Sequence, residues 1–367
     1  MRRFFMDWWI YPVYFVDLAA MVFLSFFLGN LVDMLDKKTK ISGAFIGGVL
    51  LAAVTSLPEL FTAFSAVVMV RNPELVVGDI MGSILFDLVC LGLETFLFVK
   101  HFKDSKFQAW HWMNGTACLI MYVLCAYGFF APAEAQLMLG DINVISILIF
   151  VLYILTLVFQ PKESGEDSEE LSTEEKESDK MDNWSLKKVI FWFIVSSLLL
   201  IGTSIFLTYL TDWIKSSVPF LSGSVAGALL LGVGTSIPEI ASTAQLFRKK
   251  NYDAGYGNMI GSCTFDFAIL AFSDFISWHY FVQEELGAVS SRIQTHGIFL
   301  LDADTFKFVI FGIVAALGIV ALSLLRKYTK IYENKKKLSY VITGAIATIL
   351  VAGYFLTFFL PWNPLAA

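Results

Sequence analysis

The chain has 367 residues, of which 57% are apolar, 16% aromatic and only 16% charged, with a net charge of −6. Mean hydropathy is +0.69. A soluble domain holds about 45–50% apolar and about 25% charged residues, so an ordinary cytosolic enzyme, a disulfide-stapled secreted scaffold and a polyanion binder such as a nucleic-acid partner are excluded. A bilayer-crossing helix takes about 20 mostly apolar residues, and the apolar content suffices for roughly ten. The chain reads as an all-α, polytopic membrane protein.

Apolar runs bounded by charges or turn residues fall at 14–33, 41–70, 74–99, 108–130, 137–160, 188–210, 220–247, 254–281, 305–325 and 338–360. Several exceed the length of a straight span, which predicts tilt or a break. Trp8, Trp9, Tyr11 and Tyr14 fit an interfacial belt where the first span begins. The N-terminus shows no small-residue cleavage site after a short apolar core, so no removable signal peptide is expected. Between the fifth and sixth runs, residues 162–183 carry ten acids from Glu163 to Asp182 and little apolar content, the composition of a solvated linker. The expected division is therefore a first five-span unit over 1–160, an acidic linker over 161–187, and a second five-span unit over 188–367.

Ten spans place the loops alternately on two sides. Twenty of the 26 Lys and Arg then fall on one side, with the linker, and six on the other. The positive-inside rule makes the basic side cytoplasmic and both termini external, as in a multi-pass plasma-membrane protein. Cys90, Cys118, Cys125 and Cys263 lie in apolar stretches without a Cys-x-x-Cys pair, which suits packing. The four His fall in or beside expected loops, so a zinc site is not indicated.

The two halves repeat each other. Gly43-Ala44-Phe45-Ile46-Gly47 and Thr55-Ser56-Leu57-Pro58-Glu59 recur 180 residues later as Gly223-Ser224-Val225-Ala226-Gly227 and Thr235-Ser236-Ile237-Pro238-Glu239. Gly78-Asp79-Ile80-Met81-Gly82-Ser83 and Phe86-Asp87 recur at an offset of 179 as Gly257-Asn258-Met259-Ile260-Gly261-Ser262 and Phe265-Asp266. Five spans per half is odd, so the copies insert with opposite orientation. Inverted repeats are a transporter plan, with the site at mid-membrane where the repeats meet.

Glu59, Asp87, Glu239 and Asp266 fall near the middle of their spans. Each carboxylate there costs about 2.5–3.5 kcal/mol on insertion scales, and no Lys or Arg lies within the motif spans to offset it. The four must face one another, a wet cavity or cations. Thr55, Ser83, Thr235 and Ser262 each precede one of these acids by four residues, one helical turn away on the same face. Pro58 and Pro238 lack an N–H and clash with the carbonyls of Val54 and Gly234, which predicts opened carbonyls near Ala52 and Gly232. Carboxylates, hydroxyls and carbonyls without thiolate or imidazole suit hard cations such as Ca²⁺ and Na⁺. The nearby glycines predict close helix approach.

At these residues the chain resembles the sodium/calcium exchanger family of the cation/calcium exchanger superfamily, in its ten-span prokaryotic form. The resemblance implies alternating-access export of Ca²⁺ against Na⁺, with no enzymatic activity and no resident cofactor. It implies that Glu59 and Glu239 are the central calcium ligands. It further implies that Thr55, Ser56, Thr235, Ser236, Ser83, Ser262 and Asp266 line sodium sites, with Ala52 and Gly232 as carbonyl donors. This chain departs from the family pattern at Asp87, where many members carry Asn, at Ile84 and Cys263 after Gly-Ser, at Val54, and at Asp79. A fourth carboxylate at Asp87 points to H⁺ or K⁺ coupling as an alternative to Na⁺. Glu94, seven residues on, reads as an interfacial acid, with a cation relay as the other reading. Mn²⁺ or Mg²⁺ remain alternative cargoes for an all-oxygen site. An intramembrane aspartyl protease built on Asp87 and Asp266 would leave the two Pro-Glu breaks without a role. A channel would use the same ligands, but inverted repeats favour alternating gates.

Overall fold

Backbone groups in hydrocarbon have no water to bond, so the apolar runs fold as helices. In the computed structural model, residues 8–38, 55–102, 109–159, 184–218, 221–248, 252–281, 294–299, 302–328 and 336–360 are described. The helices are α1 (Ile10–Lys38), α2 (Leu57–Val70), α3 (Pro73–Leu97), α4 (Ala109–Phe130), α5 (Val144–Val158) and α6 (Leu186–Ser217). They continue with α7 (Gly223–Thr235), α8 (Ile237–Arg248), α9 (Tyr252–Phe281), α10 (Ala303–Tyr328) and α11 (Lys336–Phe359).

Among the described residues, seven of these are long and apolar enough to cross a bilayer. The bent pair α7–α8 supplies an eighth span, and the shorter apolar helices α2 and α5 complete the expected ten. The linker 162–183 and the Gly43–Gly47 motif lie outside the described residues.

Two expectations change. The fifth run does not begin as helix. It opens with a two-stranded antiparallel hairpin, Met138–Leu139 against Ile142–Asn143, turned by Gly140 at φ +64°. Helix α5 starts only at Val144, where the Asn143 side chain accepts from the Ile145 N–H. Tyr14 also leaves the interfacial belt. It is buried, and its hydroxyl donates to the Leu230 carbonyl in α7, whereas Trp8 and Trp9 are exposed as expected.

The buried side chains form two clusters. The larger joins α2 to α5 with α7 to α11, and the smaller joins α1 to α6 and borrows Leu231 from α7. Helix α3 is the centre of the first: its apolar window is 89% buried, against 28% for α1 and 22% for α6. Helices α3 and α7 touch backbone to backbone. A Cβ on Gly78 would stand 2.1 Å from the Ser224 carbonyl oxygen, one on Gly82 2.5 Å from Ala228 Cα, and one on Gly227 2.5 Å from the Leu75 carbonyl oxygen. Small residues permit this contact, as the repeated glycines predict. The four cysteines are unpaired, and three of them are buried.

Candidate cation site

The seventh span breaks where its sequence requires. Helices α7 and α8 meet at 42°, with Ser236 at the corner and Pro238 just beyond it. Pro238 has no N–H to give to Gly234, so the regular ladder cannot continue. Ahead of the corner, Gly227–Gly232 runs in π-helical turns, a local widening common at functional sites. Helix α2 likewise starts immediately after Ser56, with Pro58 in its first turn.

Glu59 and Glu239 lie in the first turns of α2 and α8. A helix N-terminus favours a negative side chain. Both carboxylates are buried, as are Asp87 on α3 and Asp266 on α9, none above 1% exposed. The Ser56 hydroxyl donates to Glu239 Oε1 at 3.1 Å and lies 3.1 Å from the Ser262 hydroxyl. One serine thereby ties the start of α2 in the first repeat to the first turn of α8 and to α9 in the second. The Thr235 hydroxyl faces Glu59, and that of Ser236 faces Asp87 without closing a hydrogen bond.

Glu59, Asp87 and Asp266 all act electrostatically on Glu239. Glu59 Oε2, Asp87 Oδ1, Glu239 Oε2 and both oxygens of Asp266 have no hydrogen-bond partner. Buried groups are normally satisfied, and the one buried basic residue among the described residues, Lys307, is held at 2.7 Å by Asp304. The site is a buried set of acceptors with no buried basic side chain to meet them among the described residues. Among the described residues, no three Asp, Glu, His or Cys side chains close into a metal cage, so the carboxylates converge without wrapping a single point.

The sequence profile of the family described as sodium/calcium exchanger protein matches residues 10–161 and 188–362, nearly the whole chain and both repeats. The chain belongs to the sodium/calcium exchanger family. This exchanger is 26% identical over 237 residues to a protein of Alkalimonas amylolytica named putative antiporter CaxA, covering 63% of this chain and 69% of that one. Its fold is similar to that of native YfkE, with TM-score 0.61 and 17% identity over 96% of this chain and 94% of the other. It is similar as well to the H⁺/Ca²⁺ exchanger CAX, with TM-score 0.55 and 12% identity over 95% and 88%. The sodium-calcium exchanger NCX_Mj follows at TM-score 0.51 and 18% identity over 94% and 98%.

Of the site residues named from sequence, Glu59, Glu239, Asp87, Asp266, Ser56, Ser262, Thr235 and Ser236 gather at the meeting of the breaks, and Thr55 is buried beside Ser56. Ser56 reaches across to Glu239 and Ser262 of the other repeat, and Ser83 to the Gly232 carbonyl, while the Thr235 hydroxyl lies 3.1 and 3.3 Å from the Leu231 and Gly232 carbonyl oxygens of its own turn. Gly232 departs from expectation. Its carbonyl does not open to a cavity but accepts from the Ser236 N–H at 3.1 Å, from Thr235 at 3.3 Å and from Ser83 at 3.3 Å. The ladder reforms at that carbonyl because Ser236 retains its N–H, and it is the Gly234 carbonyl that Pro238 deprives of a donor. Ala52 lies outside the described residues.

Glu94, in the last turn of α3, is buried at 7% exposure with Oε2 unpartnered, and lies within electrostatic reach of Arg248 at the end of α8. Three further acids that the sequence does not single out for the site are buried: Asp17, Asp79 and Asp274. Asp274 is satisfied structurally, accepting from the Asn143 and Ile298 N–H groups at 3.0 and 2.7 Å and so fastening the 138–143 hairpin to the segment after α9. The signal for Asp79 is its departure from the family pattern beside Gly78.

Proposed function

We propose that this exchanger exports Ca²⁺ in exchange for Na⁺ by alternating access, with the cations bound where the two broken spans meet. Glu59 and Glu239 hold Ca²⁺ in this reading. Asp266, Ser83, Ser262 and the Thr55-Ser56 and Thr235-Ser236 corners line the coupling-ion positions. The observation that carries it is the set of four buried carboxylates with unpartnered oxygens and no basic counterpart among the described residues. Such a set is tolerable in a membrane only if cations neutralise it, and all-oxygen donors select hard ones. A site emptied of cations would hold several negative charges in a poorly solvated space, which ties release of one ion to arrival of the other. The protein sits in the plasma membrane with both termini outside and the acidic linker inside, by its Lys and Arg distribution.

A second reading, coupling to H⁺ or K⁺, is favoured by Asp87. This fourth carboxylate is fully buried with Oδ1 free, so the site carries more negative charge than one Ca²⁺ cancels. The structural relative CAX is named an H⁺/Ca²⁺ exchanger. Tracer Ca²⁺ flux in proteoliposomes, under Na⁺, H⁺ and K⁺ gradients imposed one at a time, tests both. An outward Na⁺ gradient is expected to drive Ca²⁺ uptake. Uptake driven by H⁺ or K⁺ instead, with that response lost in Asp87→Asn, would establish the second reading. Flux indifferent to all three gradients overturns antiport.

A further inference from the structure

The repeats solve one packing problem with different chemistry. In the second repeat, the Asn258 amide on α9 donates to the Ser242 and Thr243 hydroxyls of α8, both at 3.2 Å. In the first repeat the equivalent position on α3 is Asp79, and Thr62, equivalent to Ser242, lies on α2. There the Thr62 hydroxyl is 2.6 Å from Asp79 Oδ2 and 3.0 Å from the Glu59 carbonyl oxygen. A neutral amide suffices to tie the two helices together in one repeat, so the tie alone does not call for a carboxylate in the other.

The charge at Asp79 is also unaccounted for. Asp79 is fully buried and its Oδ1 has no partner. An ionised carboxylate left so in a dry interior is costly unless a positive charge joins it, and the buried Lys307 is taken by Asp304. Helix α6 reaches Thr62 through Thr208. Thr208 Oγ1 lies 3.5 Å from the Thr62 carbonyl oxygen, and Ser204 and Thr211, one turn to either side of Thr208, are buried with hydroxyls that have no partner. Asp79 precedes Asp87 by eight residues, about 12 Å along the helix, and it interacts electrostatically with Glu59, whose carbonyl oxygen Thr62 also contacts.

We propose that Asp79 and Thr62 form an additional site for a monovalent metal cation, Na⁺ or K⁺, between α2, α3 and α6. One carboxylate with hydroxyl neighbours matches a single positive charge; Ca²⁺ takes six to eight oxygens, usually with several carboxylates. The site rests on the antiport reading and adds one monovalent ion to each cycle.

The test is the coupling ratio, read from the reversal of Ca²⁺ flux in proteoliposomes with the Na⁺ and K⁺ gradients varied separately. Asp79→Asn, which copies Asn258, is expected to exchange Ca²⁺ with one fewer monovalent cation per cycle, and the gradient whose effect weakens names the ion. An unchanged ratio in a variant that still exchanges overturns the site, and with it any transported charge at Asp79. Uncoupled flux in the wild type would instead sink the antiport reading, a separate outcome. Should Asp79→Asn fail to fold, wild-type crystals soaked in Tl⁺ decide: an anomalous peak between Asp79 Oδ1 and Thr62 is expected, and its absence overturns the proposal.

Discussion

The two repeats carry the same motif in unlike states. In one, Ser56 is engaged, bonded to Glu239 and touching Ser262. In the other, the equivalent Ser236 hydroxyl faces Asp87 without closing a hydrogen bond, and Ser83, the counterpart of Ser262, reaches the Gly232 carbonyl. Matching Thr-Ser and Gly-Ser elements related by an inverted repeat would bond alike if the molecule were symmetric. They do not, so the symmetry of the sequence is broken in this conformation. In the alternating-access reading proposed above, such a difference between the repeats is expected of one conformation of the cycle. In that reading the repeats act as two copies of one switch, thrown opposite ways.

The strongest way to break this comparison is through the acids themselves. Glu59→Gln and Glu239→Gln each remove one of the charges that the cation replaces. Each is expected to cut Ca²⁺ flux by over a hundredfold, a loss of about 3 kcal/mol on the scale of breaking a buried charge pair. Tracer uptake under the driving gradient measures it. If one variant retained full flux, the two repeats would not share the cation and the switch would have a single working half.

Next in size is the contact between α3 and α7, where the repeats meet backbone to backbone. Gly78→Ala pushes a methyl to 2.1 Å from the Ser224 carbonyl oxygen, which neither backbone can yield without parting. The expected cost is about 3 kcal/mol or more, beyond the usual range for overpacking, seen as a lower midpoint of thermal unfolding in detergent. Gly202 is the control. It lies in α6 with nothing within 4 Å of the methyl that alanine would add, so Gly202→Ala is expected to leave the midpoint unchanged or raise it, by up to about 1 kcal/mol of helix propensity.

Much of this is legible from residues alone. The ten spans, the broken seventh span and the four acids follow from apolar run length, from Pro238 and from the 180-residue offset, since each is a local or periodic signal. What the sequence hides is cross-chain geometry. Nothing in the spacing of Ser56 or Ser83 shows that these hydroxyls bond to the opposite repeat, because i,i+4 arithmetic assumes partners along a single helix. The same assumption misplaces the Gly232 carbonyl. The 138–143 hairpin disappears into an apolar run because Leu137, Met138, Leu139 and Ile142 satisfy a helix and a strand alike over so few residues. Asp79 is visible, but only the contrast of its free Oδ1 with the fully engaged Asn258 gives it meaning.

The smallest effect is the most direct test of the asymmetry. Ser56→Ala removes a hydrogen bond to a charged group in this conformation, worth about 1.5–3 kcal/mol at the upper end and closer to 1 kcal/mol once water enters the emptied site. Ser236→Ala removes a hydroxyl that faces Asp87 without closing a hydrogen bond, so it is expected to leave the stability of this conformation within about 0.5 kcal/mol of the wild type. The difference should appear as a lower unfolding midpoint for Ser56→Ala alone, measured under ion conditions that hold this conformation. Conditions that throw the switch the other way should exchange the two results, because Ser236 then takes the place across from Glu59 that Ser56 holds across from Glu239. Equal effects in both conditions would mean that the difference between the repeats is fixed in their sequences rather than in the state of the molecule.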